Sequence, residues 1–71
     1  NPAKNDVVVE LNNDERIIEI GFFNNKGSLL KSVRDLNCKI FSSDIPSTPG
    51  FYFVKVSTDK ATYIEKLIVE N

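Results

Sequence analysis

The chain has 71 residues, enough for one small domain and too few for a second. Hydrophobic residues make up 41% and charged residues 27%, an ordinary globular balance, and ten acids against nine bases leave a net charge of −1. That charge supplies no electrostatic grip on nucleic acid or on an anionic membrane. The absence of His removes the imidazole from nucleophilic and zinc-ligating systems, and a single Cys builds neither an internal disulfide nor a thiolate cage. The longest apolar run, Phe51 to Val54, is far too short to enter a bilayer as a helix. These features point away from an enzyme and away from direct membrane insertion, and no metal or cofactor is expected. The chain does not begin with Met and shows no signal peptide, which reads as one end of a longer protein.

Strand patterns dominate from the start. Asp6 to Leu11 alternates, with Val7, Val9 and Leu11 on one face, and its β-branched run resists helix. Asn12-Asn13-Asp14-Glu15 is a polar turn cluster. Arg16 to Phe23 follows as a second strand with Ile18, Ile20 and Phe22 in phase, and Gly21 inside it predicts a bulge or a close neighbour. Asn24-Asn25-Lys26-Gly27 is a hairpin turn with residues that tolerate positive φ, so Leu29 to Val33 can return antiparallel. Leu29, Leu30, Val33 and Leu36 also fit a helical spacing, but the segment is short and lies between two turns.

Cys38 to Ser42 reads as a further short strand, and Cys38 itself as a small residue in or beside it. The stretch Ser43 to Gly50 is the longest loop, because Pro46 and Pro49 each remove a ladder donor. Phe51 to Thr58, a turn at Asp59-Lys60-Ala61, and Thr62 to Val69 form a final hairpin. Six or seven short antiparallel strands at this spacing predict an all-β sandwich or barrel, occupying residues 1–71 as one domain.

That hairpin is apolar on both faces. Tyr52, Val54 and Val56 share one face of its first strand, and Phe51, Phe53 and Lys55 share the other. On its second strand, Tyr63, Glu65, Leu67 and Val69 alternate with Thr62, Ile64, Lys66 and Ile68. A sheet with one wet face alternates more cleanly, so either another element covers the second face or that face is a docking surface. Other residues have structural readings beside functional ones. Asp14, Asp44 and Asp59 fall in three separate turns without calcium-loop spacing, which favours turn chemistry. Tyr52 and Tyr63 suit core packing with a satisfied hydroxyl better than stacking on a sugar. Lys66 suits receptor contact and edge protection equally.

The order of these motifs resembles a known family. The chain opens Asn1-Pro2-Ala3 and carries a mid-chain hairpin in Asn25-Lys26-Gly27-Ser28-Leu29-Leu30-Lys31. Ser43-Asp44-Ile45-Pro46, Gly50-Phe51-Tyr52-Phe53-Val54-Lys55-Val56 and Thr58-Asp59-Lys60 follow, and Lys66-Leu67-Ile68-Val69 comes at the end. Together they resemble the C-terminal sorting domain of type IX secretion cargo in Gram-negative bacteria, the Por secretion tail family, over nearly the whole chain. Pro2, Gly27, Asp44, Pro46, Gly50, Tyr52 and Tyr63 fall at its structural motif. The chain departs from the pattern in the longer Ser47-Thr48-Pro49 loop, in Asn24 where Asp is commoner, in Cys38 where a small turn residue such as Gly is common, and in Ala61 where Gly is common. An Ala at positive φ costs roughly 1 kcal/mol, so that last turn is expected to differ or to be strained.

The resemblance implies an immunoglobulin-like antiparallel sandwich without catalytic activity. It also implies an export signal fused behind a cargo domain in the same chain. Its implied partners are proteins, the type IX translocon and a sortase-like peptidase, and its implied route is through the periplasm to the cell surface or the medium. Recognition would fall on the closing hairpin: Lys66, Leu67, Ile68 and Val69 with Phe51 and Phe53. The competing expectation is an immunoglobulin-like accessory module of a secreted enzyme or adhesin that binds carbohydrate or protein. A third is a structural spacer.

Overall fold

A computed structural model of the chain describes residues 6–44 and 48–70. Pro2 and Pro46, named above for the family motif, lie outside the described residues. Six strands run β1 (Asp6–Glu10), β2 (Ile17–Asn24), β3 (Leu29–Val33), β4 (Ile40–Asp44), β5 (Gly50–Thr58) and β6 (Thr62–Val69). They form a four-stranded sheet of order β3-β2-β5-β6 and a two-stranded sheet of order β1-β4, with every pairing antiparallel. The molecule is an all-β sandwich, and the segment from Leu29 to Val33 is strand, not helix.

The core forms where the alternation of β2 and β5 coincides. Ile20 lies opposite Val56 and Phe22 opposite Val54, and all four are buried together with Ile17. Val7, Val9 and Leu11 from β1 and its exit, with Phe41 from β4, pack down onto this cluster as the small sheet's inner face. Each fully buried aliphatic or aromatic side chain contributes on the order of 1.5–3 kcal/mol relative to exposure.

One strand does not follow its own period. Alternation predicts Ile18 in phase with Ile20, but Ile17 is completely buried and Ile18 is 37% exposed. The register slips by one residue between Ile17 and Glu19, a bulge that turns Ile17 inward and Ile18 outward. The bulge lets β2 serve both layers. Ile17 N–H donates to the Cys38 carbonyl at 2.7 Å, and Leu36 N–H donates to the Ile18 carbonyl at 2.9 Å. Cys38 is therefore a half-buried bridge residue, and the strand that follows begins at Ile40.

The turns obey their local chemistry. The Asn24 side chain accepts from the N–H groups of Lys26 (2.9 Å) and Ser28 (3.0 Å), and Gly27 takes φ of 86° to close the hairpin. Gly21 is the close neighbour its position suggested: a Cβ there would stand 3.1 Å from the Phe23 ring. The last turn departs from the family pattern without strain. Ala61 is not at positive φ, a conformation that Asp35 alone takes among the described non-glycine residues. Instead the Thr58 hydroxyl accepts from the N–H groups of Lys60 (3.1 Å) and Ala61 (2.9 Å). Asp44, expected in a turn, is the last residue of β4.

Candidate functional site: the closing hairpin

β5 and β6 pair along their full length, with Phe51 opposite Ile68, Phe53 opposite Lys66 and Lys55 opposite Ile64 on one face. On the other face Tyr52 lies opposite Leu67, Val54 opposite Glu65, and Val56 opposite Tyr63. The second face looks into the sandwich. Tyr52, Val54, Val56 and Val69 are buried, and Leu67 is half-buried against the core. The first face looks out. Phe51 is 48% exposed, Ile68 55% and Ile64 65%, and no described element packs over them.

Of the six residues expected at a recognition site, four share that outward face: Phe51, Phe53, Lys66 and Ile68. Leu67 and Val69 are turned the other way, where side chains of β6 help build the inside of the molecule. The Lys66 ammonium stands 4.3 Å from the centre of the Phe51 ring, diagonal to it across the ladder. This cation–π contact holds the ammonium over an otherwise apolar surface. Two further residues extend the face across the sheet, because Phe23 lies opposite Phe53 and Leu29 opposite Phe23. Chain order separates them from the closing hairpin. Only the pairing of β2 with β5 brings them to it, so the strand patterns alone could not list them.

β6 is an edge strand. Its far side has no partner among the described residues. Thr58 N–H bonds to the Ala61 carbonyl at 2.8 Å, which sets the parity of the β5–β6 ladder. The main-chain groups of Ile64, Lys66 and Ile68 therefore point away from β5, along the open edge. The strand thus offers free peptide groups and exposed side chains from the same three residues.

The far end of the hairpin is held by residues that the sequence pattern marked only as a turn. Glu15 is the one buried charged residue among those described, 8% exposed. Its carboxylate accepts from the Thr58 hydroxyl (2.5 Å), the Tyr63 hydroxyl (2.7 Å) and the Asn13 amide (2.9 Å). These donors, led by Thr58 and then Tyr63, hold its pKa below the usual glutamate value. The bond to Glu15, with burial and the carboxylate's charge, raises that of Tyr63. Arg16 N–H donates to the Asp59 carboxylate at 2.9 Å, and Lys60 pairs with Asp14 at 3.3 Å. Asp14 and Asp59 are thus occupied in fastening the 12–16 loop to the 58–61 turn. The hydroxyl of Tyr52 donates to the Thr48 carbonyl at 2.6 Å and fixes the entry to β5, where Gly50 opens the strand. Both tyrosine hydroxyls are therefore spent inside the domain.

Comparison with known proteins settles what kind of sandwich this is. A family model described as "Secretion system C-terminal sorting domain" matches residues 1–70. The chain belongs to that family. It is a type IX secretion sorting domain, the family its motif order resembles. No curated protein and no solved structure matches the chain. Membership makes the domain a sorting signal for type IX secretion, carried in the same chain as a cargo and leading to the cell surface or the extracellular space. Sorting domains of this family are not catalytic.

Proposed function

We propose that residues 1–71 act as a single sorting unit whose message is read from the folded outward face of the β5–β6 hairpin. The observation that carries this reading is the exposure of Phe51, Ile64 and Ile68 on a face that no described element covers, beside an edge with free main-chain groups. Exposed apolar patches on a small domain mark interaction sites, and aromatic residues dominate interface energetics. A translocon protein would lay a strand along Ile64, Lys66 and Ile68 while the Phe51 and Phe53 rings supply contact area. Lys66 adds a positive charge whose position the Phe51 ring already restricts. Leu67 and Val69 contribute indirectly, by anchoring β6 to the core so that its neighbours face outward. The domain meets this partner after the cargo has entered the periplasm. A sortase-like peptidase acts on the chain afterwards, outside the folded body.

The test is a fusion of a signal peptide, a reporter and residues 1–71 in a host with a type IX system. Ile64→Ser and Ile68→Ser change exposed side chains, so both variants should melt within a few degrees of the parent while surface delivery of the reporter falls at least tenfold. Delivery at the parental level by variants confirmed as folded by circular dichroism defeats the proposal.

A further inference from the structure

The two layers of the sandwich are unequal, and the deficit lies on one side. Four strands in one sheet span about 14 Å across, whereas two strands span about 5 Å. The Lys31 ammonium on β3 donates to the Ser43 hydroxyl on β4 at 2.7 Å, so β4 lies over the β3 side of the large sheet. β1 then lies toward β6, and beyond β1 the inner face of β6 stays open at Tyr63, Glu65 and Leu67, while Val69 at its end is buried. A cleft of about 630 Å³ opens there, with Val7, Val9 and Leu11 on one wall and Val54, Tyr63 and Leu67 at the floor.

The wall of this cleft is a strand edge with no partner among the described residues. Leu11 N–H bonds to the Lys39 carbonyl at 2.9 Å in the β1–β4 ladder. By parity the main-chain groups of Val7 and Val9 face β4, and those of Asp6, Val8 and Glu10 face the open side. The rim is acidic. Asp6 and Glu10 flank Val8 on the outer face of β1, and Glu65 projects from the inner face of β6 into an otherwise apolar floor. Pairing β1 along its length with a second copy of itself would set Asp6 against Glu10 at both ends, an arrangement that disfavours a self-complementary dimer through this edge.

We propose that the free edge of β1 takes an added strand from a partner protein, a segment of about five residues that is apolar on its inward face and carries Lys or Arg on its outward face. The segment becomes the third strand of the short sheet. Its inward side chains fill the cleft over Leu67 and Tyr63, its basic residues sit beside Asp6 and Glu10, and Glu65 meets the basic end that overhangs the floor. The five residues of β1 set the length of the pairing. This site lies on the opposite face of β6 from the sorting surface proposed above and stands independently of it.

The test uses the 71-residue chain labelled with ¹⁵N and a capped six-residue peptide of alternating Lys and Val. Three probes accompany it: the Glu/Val analogue, a Lys/Val analogue N-methylated on its edge-pairing amides, and the chain alone at rising concentration in an ultracentrifuge. The Lys/Val peptide should slow amide exchange at Val8 and Glu10, and shift Leu67. The Glu/Val and N-methylated peptides should bind at least tenfold more weakly. Val8→Pro removes a donor that the β1–β4 ladder does not use and should abolish binding. Glu10→Lys with Glu65→Lys, both at exposed positions, should weaken binding at least tenfold if the proline variant fails to fold. Equal binding of the Lys/Val and Glu/Val peptides, unchanged binding after N-methylation, protection at Ile64, Lys66 and Ile68 in place of β1, or self-association of the free chain overturns the proposal. Because the readout is binding in solution, none of these outcomes depends on export, and Ile68→Ser should leave it unchanged.

Discussion

Glu15 holds its carboxylate against three donors from two separated segments, and it does so with little access to water. Its depressed pKa means that the folded state favours the ionised form. The stability this contributes is complete above the ordinary glutamate value of 4.5 and is lost as the pH falls through the lower folded value. Asp14, lowered by its hydrogen bond to and charge attraction with Lys60, adds to the same acid limb, although so exposed a pair contributes little. Tyr63 works in the opposite sense. Its pKa is raised, so its contribution is complete below the ordinary tyrosine value of 10.0 and is lost as the pH rises through the folded value. Thermal melts from pH 2 to pH 12 should therefore show a plateau with two falling limbs. Glu15→Gln should lower the plateau and flatten the acid limb, and Tyr63→Phe should remove most of the alkaline one. A melting temperature independent of pH below 4 in the parent would show that the clasp is not made in solution.

Among the elements, β2 does the most structural work because it belongs to the sheet along most of its length and to the connection between layers at its start. The bulge decides which isoleucine is core. Ile17→Ala removes a fully buried side chain and should cost about 2–5 kcal/mol in chemical denaturation, whereas Ile18→Ala, at a partly exposed position, should cost under about 1 kcal/mol. Equal costs would mean that the strand keeps its simple alternation through residue 18. The pattern of β2 made its existence plain and its phase from Ile20 onward correct. The slip at Ile18 was not visible, because it is imposed by Ile17 bonding to Cys38, twenty-one residues away. The Asn24–Gly27 hairpin was legible to the residue, since a side-chain acceptor and a glycine at positive φ settle a turn locally.

At the scale of the whole molecule, the closing hairpin has to be both core and surface. Its inward side chains, Tyr52, Val54, Val56 and Val69, share the burial that holds the two sheets together, and its outward ones remain in water. Cutting the chain after Glu65 therefore removes a buried residue, Val69, and a half-buried one, Leu67, along with half of an edge strand. Such a truncation should lose the cooperative melt altogether and would confuse lost folding with lost recognition. A cooperative melt within 10 °C of the parent would show that β6 is dispensable to the sandwich. Point changes on the outward face separate the two effects, which is why the export experiment relies on them.

The sequence by itself determined the class of the fold, five of the six strands to within a residue or so at either end, the turn chemistry and the two-faced character of the last hairpin. These follow from alternation, β-branching and the special residues of turns, all of which act over a few positions. It also carried the family, because motif order is a property of the chain. What only the tertiary structure decided was which apolar face stays uncovered, that Phe23 and Leu29 join it, that Leu67 and Val69 turn inward, and that Glu15 is a buried clasp in place of a solvated turn residue. Each of these depends on which strands lie side by side and how two sheets of unequal width overlap. Those are long-range choices, made by burial summed over the whole core and not by any local stretch of sequence.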